Sequence, residues 1–162
     1  MKELLNKIRN TKGCKVFASN GMPILDKSLN LPLDLQAFYS LCGGVELFKG
    51  ADYPFNICTP EEFVLANPAI MYEGYEEHIP ESDISNYWYI IATSGPEQSI
   101  SIDLTEKNNG LCYDSFWDIH ASEDSPIIAQ SFSSLLTNLF QGGGSYPYWL
   151  SDSFQSLGNA YE

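Results

Sequence analysis

The sequence predicts a mixed fold in which helices accompany an antiparallel sheet, and three observations carry that expectation. The first is a cluster of three β runs, YWYIIAT (87–93), SISIDL (99–104) and LCYDSF (111–116). The loops between them, SGPEQ and TEKNNG, are short enough for hairpins, so the runs should form an antiparallel meander. The second is a pair of segments with helical spacing, LPLDLQAFYSLCGG and SFSSLLTNLF. The third is size: 162 residues without internal repeats or a dividing linker predict one domain, 1–162, around one substantial core.

Taken in order, KELLNKIRN places Leu4, Leu5 and Ile8 on one side of a short helix. KVFA (15–18) is expected as a strand and SNGMP (19–23) as a turn. Pro32 suits the first position of the next helix, where its missing N–H would have no partner in any case. Asp34 falls in the first turn, where the helix dipole favours an acid. Leu35, Phe38, Tyr39 and Cys42 recur at i, i+3, i+4 and i+7 and predict a buried stripe. Gly43-Gly44 is expected to supply the left-handed residue that ends the helix. VELF and FNIC (55–58) follow as strands. TPEEF (59–63) reads as another helix start, with Thr59 as N-cap, Pro60 behind it and Glu62 completing a capping box. Pro68 keeps that helix short.

Residues 72–86, YEGYEEHIPESDISN, form an acidic connector with five acids and no Lys or Arg. In the meander, YWYIIAT is too apolar for an exposed edge. SISIDL alternates, with Ile100, Ile102 and Leu104 on one face and Ser99, Ser101 and Asp103 on the other. PIIAQ (126–130) is a last extended piece. Phe132, Leu135, Leu136, Leu139 and Phe140 then mark a helix that QGGG terminates. The tail SYPYWLSDSFQSLGNAYE is aromatic but poorly patterned, and is expected to dock as a short helix or to fray.

Composition excludes several classes. Apolar residues at 44% and aromatics at 14% are those of a globular chain, and no apolar run approaches the length of a membrane span. The opening MKELLNKIRN mixes charges among its apolar residues and lacks a signal-peptide core, so a cytoplasmic protein is expected. Cys14, Cys42, Cys58 and Cys112 contain no CxxC pair and are expected as reduced thiols. The net charge of −13 is unevenly spread. Residues 1–27 hold six of the eight basic residues, whereas residues 28–162 set 19 acids against Lys49 and Lys107. Such a body repels nucleic acid and anionic membrane and attracts basic partners; the plainer role of the same charge is solubility.

No catalytic constellation stands out. His78 and His120 are the only histidines, and neither has a second ligand at metal spacing. Asp103 and Asp114 on neighbouring strands are a candidate carboxylate pair, but the spacing that acid–base chemistry needs is not a property of sequence. TSGPEQS lacks a nucleophile-elbow context, QGGGS follows a helix rather than preceding one, and there is no P-loop, dinucleotide fingerprint or HExxH motif. No cofactor and no metal are therefore expected. Tyr72, Tyr75, Trp117 and Trp149 lack nearby Lys or Arg, which disfavours stacking on nucleic acid and leaves core or protein-interface roles.

The order of these segments carries a resemblance. LPLDLQAFYSLCGGVELF resembles the LP-x-x-x-x-F-y-x-x-x-GG-x-x-l-f segment of the SUKH superfamily, also called the Smi/Knr-type family. WYIIATSG, SISIDL and GLCYDSFWD resemble its following strands, and IIAQSFSSLL resembles the start of its final helix. The likeness spans residues 28–141, with SGPEQ departing from the family's loop pattern and the tail unmatched. The resemblance implies an α+β single domain, with a mostly antiparallel sheet and flanking helices. It also implies a non-enzymatic immunity protein that neutralises a toxin of a polymorphic or contact-dependent system, many of them nucleases. An adaptor of the cell-wall-signalling type is the alternative, and a hydrolase is a third. An acidic body suits the inhibition of a basic nuclease. The expected partner-binding segment is the acidic connector: Glu73, Glu76, Glu77, Glu81 and Asp83, with Tyr72 and Tyr75 as aromatic anchors. Trp88 is expected in the core and Asp103 in a structural role.

Overall fold

The computed structural model describes residues 1–71 and 79–162. Among them, seven strands form one sheet: β1 (Lys15–Val16), β2 (Val45–Leu47), β3 (Phe55–Ile57), β4 (Trp88–Ser94), β5 (Gln98–Asp103), β6 (Cys112–Asp114) and β7 (Ile127–Ala129). Their order in space is their order in sequence, and every neighbouring pair is antiparallel. Four α-helices accompany them: α1 (Lys2–Arg9), α2 (Leu33–Leu41), α3 (Ala66–Ile70) and α4 (Phe132–Gln141). The expected α+β architecture, with its β4–β6 meander, is present.

One face of the sheet carries the main core. Leu5 and Ile8 of α1, Leu35, Phe38 and Tyr39 of α2, and Phe132, Leu135, Leu136 and Leu139 of α4 pack there. They meet Val45, Leu47, Phe55, Ile57, Ile91, Ile100 and Ile102 from the strands. The stripe Leu35–Phe38–Tyr39–Cys42 is fully buried, as its spacing requires. Asp34 does more than favour the dipole of its own helix. Its Oδ2 accepts from the N–H of Ser133 at 2.7 Å, so it caps the first turn of α4 and ties the two helices together. In β4, the register shifts between Ile90 and Ala92, a bulge that lets both Ile91 and Ala92 face this core.

The opposite face is divided. Over β2 and β3 it is polar, with Glu46 half-buried and Asn56 exposed. Over β4–β6 it is covered by a second layer, in which Cys58, Ala66, Trp88, Ile90 and Tyr113 pack against Ile70, Ile84, Ala121 and Ala160. The alternation in SISIDL is therefore real but does not divide core from solvent, since Ser101 and Asp103 have no exposed surface.

Two expectations are corrected. The glycine pair does not end α2 through a left-handed cap, because Cys42 is already extended (φ −156°, ψ 167°). The pair continues the β1–β2 ladder instead. The N–H of Gly43 donates to Phe17 and that of Phe17 to Gly44. A Cβ on Gly43 would lie 2.4 Å from the carbonyl oxygen of Ala18, so close passage of two backbones requires glycine there. TPEEF forms its capping contact, with the Thr59 N–H donating to Glu62 Oε2 at 2.9 Å, yet makes one turn and no helix. The chain stops because Val64 and Leu65 pair with β4: the Ile90 N–H donates to the Val64 carbonyl, and Leu65 bridges Tyr89. Helix α3 starts one residue later, and Pro68 sits in its first turn, where no N–H is needed.

The tail docks. Tyr148–Leu150 form a 3₁₀ turn that buries Trp149 against the main core. The chain then returns along β7, where Ile127 donates to Gly158 and Ala160 donates to Ser125. This pairing covers an edge that would otherwise present unpaired backbone groups.

Candidate protein-interaction surface

The second layer is held by polar contacts radiating from Trp88. Its indole Nε1–H donates to Asp103 Oδ2 at 3.3 Å, and the Tyr113 hydroxyl donates to the same oxygen at 3.0 Å. The N–H and hydroxyl of Thr105 each donate to Asp103 Oδ1 at 2.7 Å. Burial, and then Asp103 beside it, raise the Tyr113 phenol above its usual range. Trp88 also stacks on Tyr113, with ring centroids 4.2 Å apart, and meets the His120 ring edge-on at 5.7 Å. Asp103 thus has a structural role, and Trp88 belongs to the core.

Asp114 is bound from the other side of the sheet. Trp149, of the main core, donates its indole N–H to Asp114 Oδ2 at 2.7 Å, while Gln98 and the Phe116 N–H donate to Oδ1. Asp103 and Asp114 therefore face opposite surfaces of the sheet and cannot flank one bond. All four cysteines are unbridged, and Cys58 is pushed up to about 12 by burial.

Of the expected partner-binding residues, Tyr72, Glu73, Tyr75, Glu76 and Glu77 lie outside the described residues, as does His78. Glu81 is exposed. Asp83 is half-buried and already engaged: its Oδ1 accepts from the Ser85 N–H at 2.8 Å, capping the 3₁₀ turn Ile84–Tyr87. The same oxygen accepts from the Tyr161 hydroxyl at 2.9 Å, which fastens the tail to the base of the connector.

Beside that base lies a feature the sequence did not single out. A cleft of about 280 Å³ opens between the end of α3 (Ile70, Met71) and the turn after β6 (Trp117, Asp118, His120). Trp117 is 58% exposed and Asp118 exposed, while His120 is only 6% exposed. His120 Nε2 lies 2.9 Å from Asn67 Oδ1, and the Asn67 amide nitrogen donates to Ser85 Oγ at 3.1 Å. Those contacts assign the proton to Nε2 and leave Nδ1 as an acceptor, and Nδ1 is buried with no hydrogen-bond partner among the described residues. Burial holds the imidazole down to about 4, against a smaller opposing pull from Asp83, so the ring is neutral near pH 7. The signal in the sequence was the run FWDIHASED, where an aromatic, acids and a histidine follow directly on a strand. Its meaning depended on α3 arriving alongside, which no local pattern records.

Among the described residues, no helix is long and apolar enough to cross a membrane. Comparison with known proteins adds the lineage. The chain is 43% identical over 160 residues to the protein named "Immunity protein YokJ" of Bacillus subtilis (strain 168), an alignment covering 98% of this chain and 94% of that protein. Residues 26–138 match the sequence model of the SMI1 / KNR4 family (SUKH-1), close to the limits of the resemblance and including α2, α3, β2–β7 and most of α4. With well over half its length matching, this chain belongs to the SMI1 / KNR4 family (SUKH-1).

Proposed function

We propose that this protein is an immunity protein: it binds a cognate toxin in the cytoplasm and neutralises it by occlusion, without turnover of its own. The observation that carries this reading is the near end-to-end likeness to a protein named as an immunity protein. Charge makes the partner specific. Nineteen acids against two lysines over residues 28–162 suit a basic toxin domain, of which a nuclease is the natural kind, since a surface that holds nucleic acid is itself basic. The interface in this reading is the acidic connector, Tyr72, Glu73, Tyr75, Glu76, Glu77, Glu81 and Asp83. Asp83 anchors its base, and exposed Glu81 is a direct contact.

The test is protection. A toxin domain encoded beside this gene is the expected partner, and it should arrest growth when expressed alone and be silenced when this protein is expressed with it. Reversing Glu76, Glu77 and Glu81 to lysine should weaken the purified complex well over tenfold. Unchanged affinity in a folded triple variant removes the connector as the interface.

A further inference from the structure

We infer that the cleft between α3 and the turn after β6 is a receptor for one arginine side chain of the partner protein, with Trp117, Asp118 and His120 as its three contacts. This deepens the immunity reading and rests on it for the identity of the partner. The guest is defined by what the cleft lacks. A buried acceptor without a donor forfeits its hydration with nothing in return, and native structures seldom leave one unexplained. His120 is among the residues that line the cleft, and its Nδ1, almost without accessible surface, has no hydrogen-bond partner among the described residues; a guest that brings an N–H or O–H as the ring turns toward it answers that acceptor. Asp118 lines the same cleft and is a second acceptor, now charged. Glu123 and Asp124 follow in the same turn, and residues 117–124 hold no Lys or Arg. A neutral donor would leave that charge unanswered, whereas a cation answers it.

Arginine fits better than lysine for a geometric reason. Its planar guanidinium carries five donors and can stack on an indole, here the exposed Trp117, while directing separate N–H groups to a carboxylate and to a ring nitrogen. A lysine ammonium is a point charge that is strongly hydrated and has no face to stack. The volume of about 280 Å³ is enough for one such side chain, and Ile70 and Met71 would cover its aliphatic stem. Large exposed aromatics beside a desolvated acceptor are what dominant interface contacts are made of.

The experiment has two arms. In the first, the protein labelled with ¹⁵N is titrated with the peptide acetyl-Gly-Arg-Gly-amide, and with the same peptide carrying citrulline, the neutral isostere. Saturable shifts of the His120 Nδ1 and Trp117 Nε1 signals are expected with arginine, at millimolar affinity. Citrulline, and the Asp118→Asn protein with the arginine peptide, should each bind about two- to fivefold more weakly, the usual scale of one exposed charge contact. No saturable shift at His120, or equal response to citrulline, overturns the proposal. In the second arm, Trp117→Ala, at an exposed position, should weaken the complex with the neighbouring toxin domain about tenfold or more. If the wild-type protein fails to protect against the toxin while the peptide still binds, the immunity reading falls and the receptor stands. If protection holds and neither arm responds, the receptor falls alone.

Discussion

At the scale of the residue, Asp103 accounts for much of how the second layer stays attached. It has no exposed surface and accepts four hydrogen bonds, from Trp88, Tyr113 and twice from Thr105. Hydrogen bonds to a buried charged group are worth more than neutral ones, so Asp103→Ala should cost about 3 kcal/mol in urea unfolding. A cost below about 1 kcal/mol would mean that water replaces the carboxylate. His120 makes a prediction of opposite character. Its folded value is about 4 against an ordinary 6.5, so both states are neutral above pH 6.5. As pH falls below that value, the unfolded chain takes up a proton that the folded one refuses, and stability declines until about pH 4. The full effect is roughly 3 kcal/mol. A His120→Gln variant should lose less stability than the wild type across that window, as read from melting temperature against pH. Parallel curves would show that the ring is not held neutral. Trp88 and Asp103 were legible in their roles because an aromatic among β-branched residues and an acid in an alternating strand have few other uses. The burial of the serine and aspartate face was not legible. Alternation says that two faces differ, and does not say that one of them is wet.

At the scale of the element, the errors share one cause: a local signal was right and a tertiary contact redirected it. The capping box at Thr59 forms, but pairing of Val64 and Leu65 with β4 ends the turn before it can propagate. The glycine pair stands where α2 stops, but its necessity lies in the passage of residues 17–20 across it. Gly43→Ala should therefore destabilise by about 2 kcal/mol or more, because backbone at Ala18 must move. Gly50→Ala should cost about 1 kcal/mol, since that site has positive φ (+90°) but open space around it. Equal costs, measured by chemical denaturation, would refute the close-approach account. The tail shows the limit of periodicity. Trp149 and Tyr148 reach the core through one 3₁₀ turn, too short to leave a repeat in the sequence.

At the scale of the molecule, charge and fold supply separate parts of the argument. Order and type of element were legible nearly throughout, because β1–β7 follow one another in space as in sequence and each hairpin declares its own partner. The cleft at His120 was not, because its walls come from residues 70–71 and from the turn 117–122. Charge predicts kinetics. Association with a basic partner should slow about tenfold or more between 50 mM and 500 mM salt, with dissociation changing much less. Stopped-flow mixing reads both rates, and a salt-independent on-rate would remove electrostatic steering from the mechanism.

The plain meander has one more consequence. Strands β3 and β4 lie side by side in the sheet, yet residues 58–87 intervene between them in the chain. The pairing of β3 with β4 is set by the strands themselves, and the entropy of closing a longer loop grows only slowly with its length. Val64 and Leu65 pair with β4 and Ala66, Ile70 and Ile84 pack in the second layer, so the part of the excursion between the end of α3 and Asp83 is the one that can gain, lose or exchange residues while the sheet keeps its order. A lineage that must keep pace with a changing adversary could rewrite that one passage and inherit the rest unaltered.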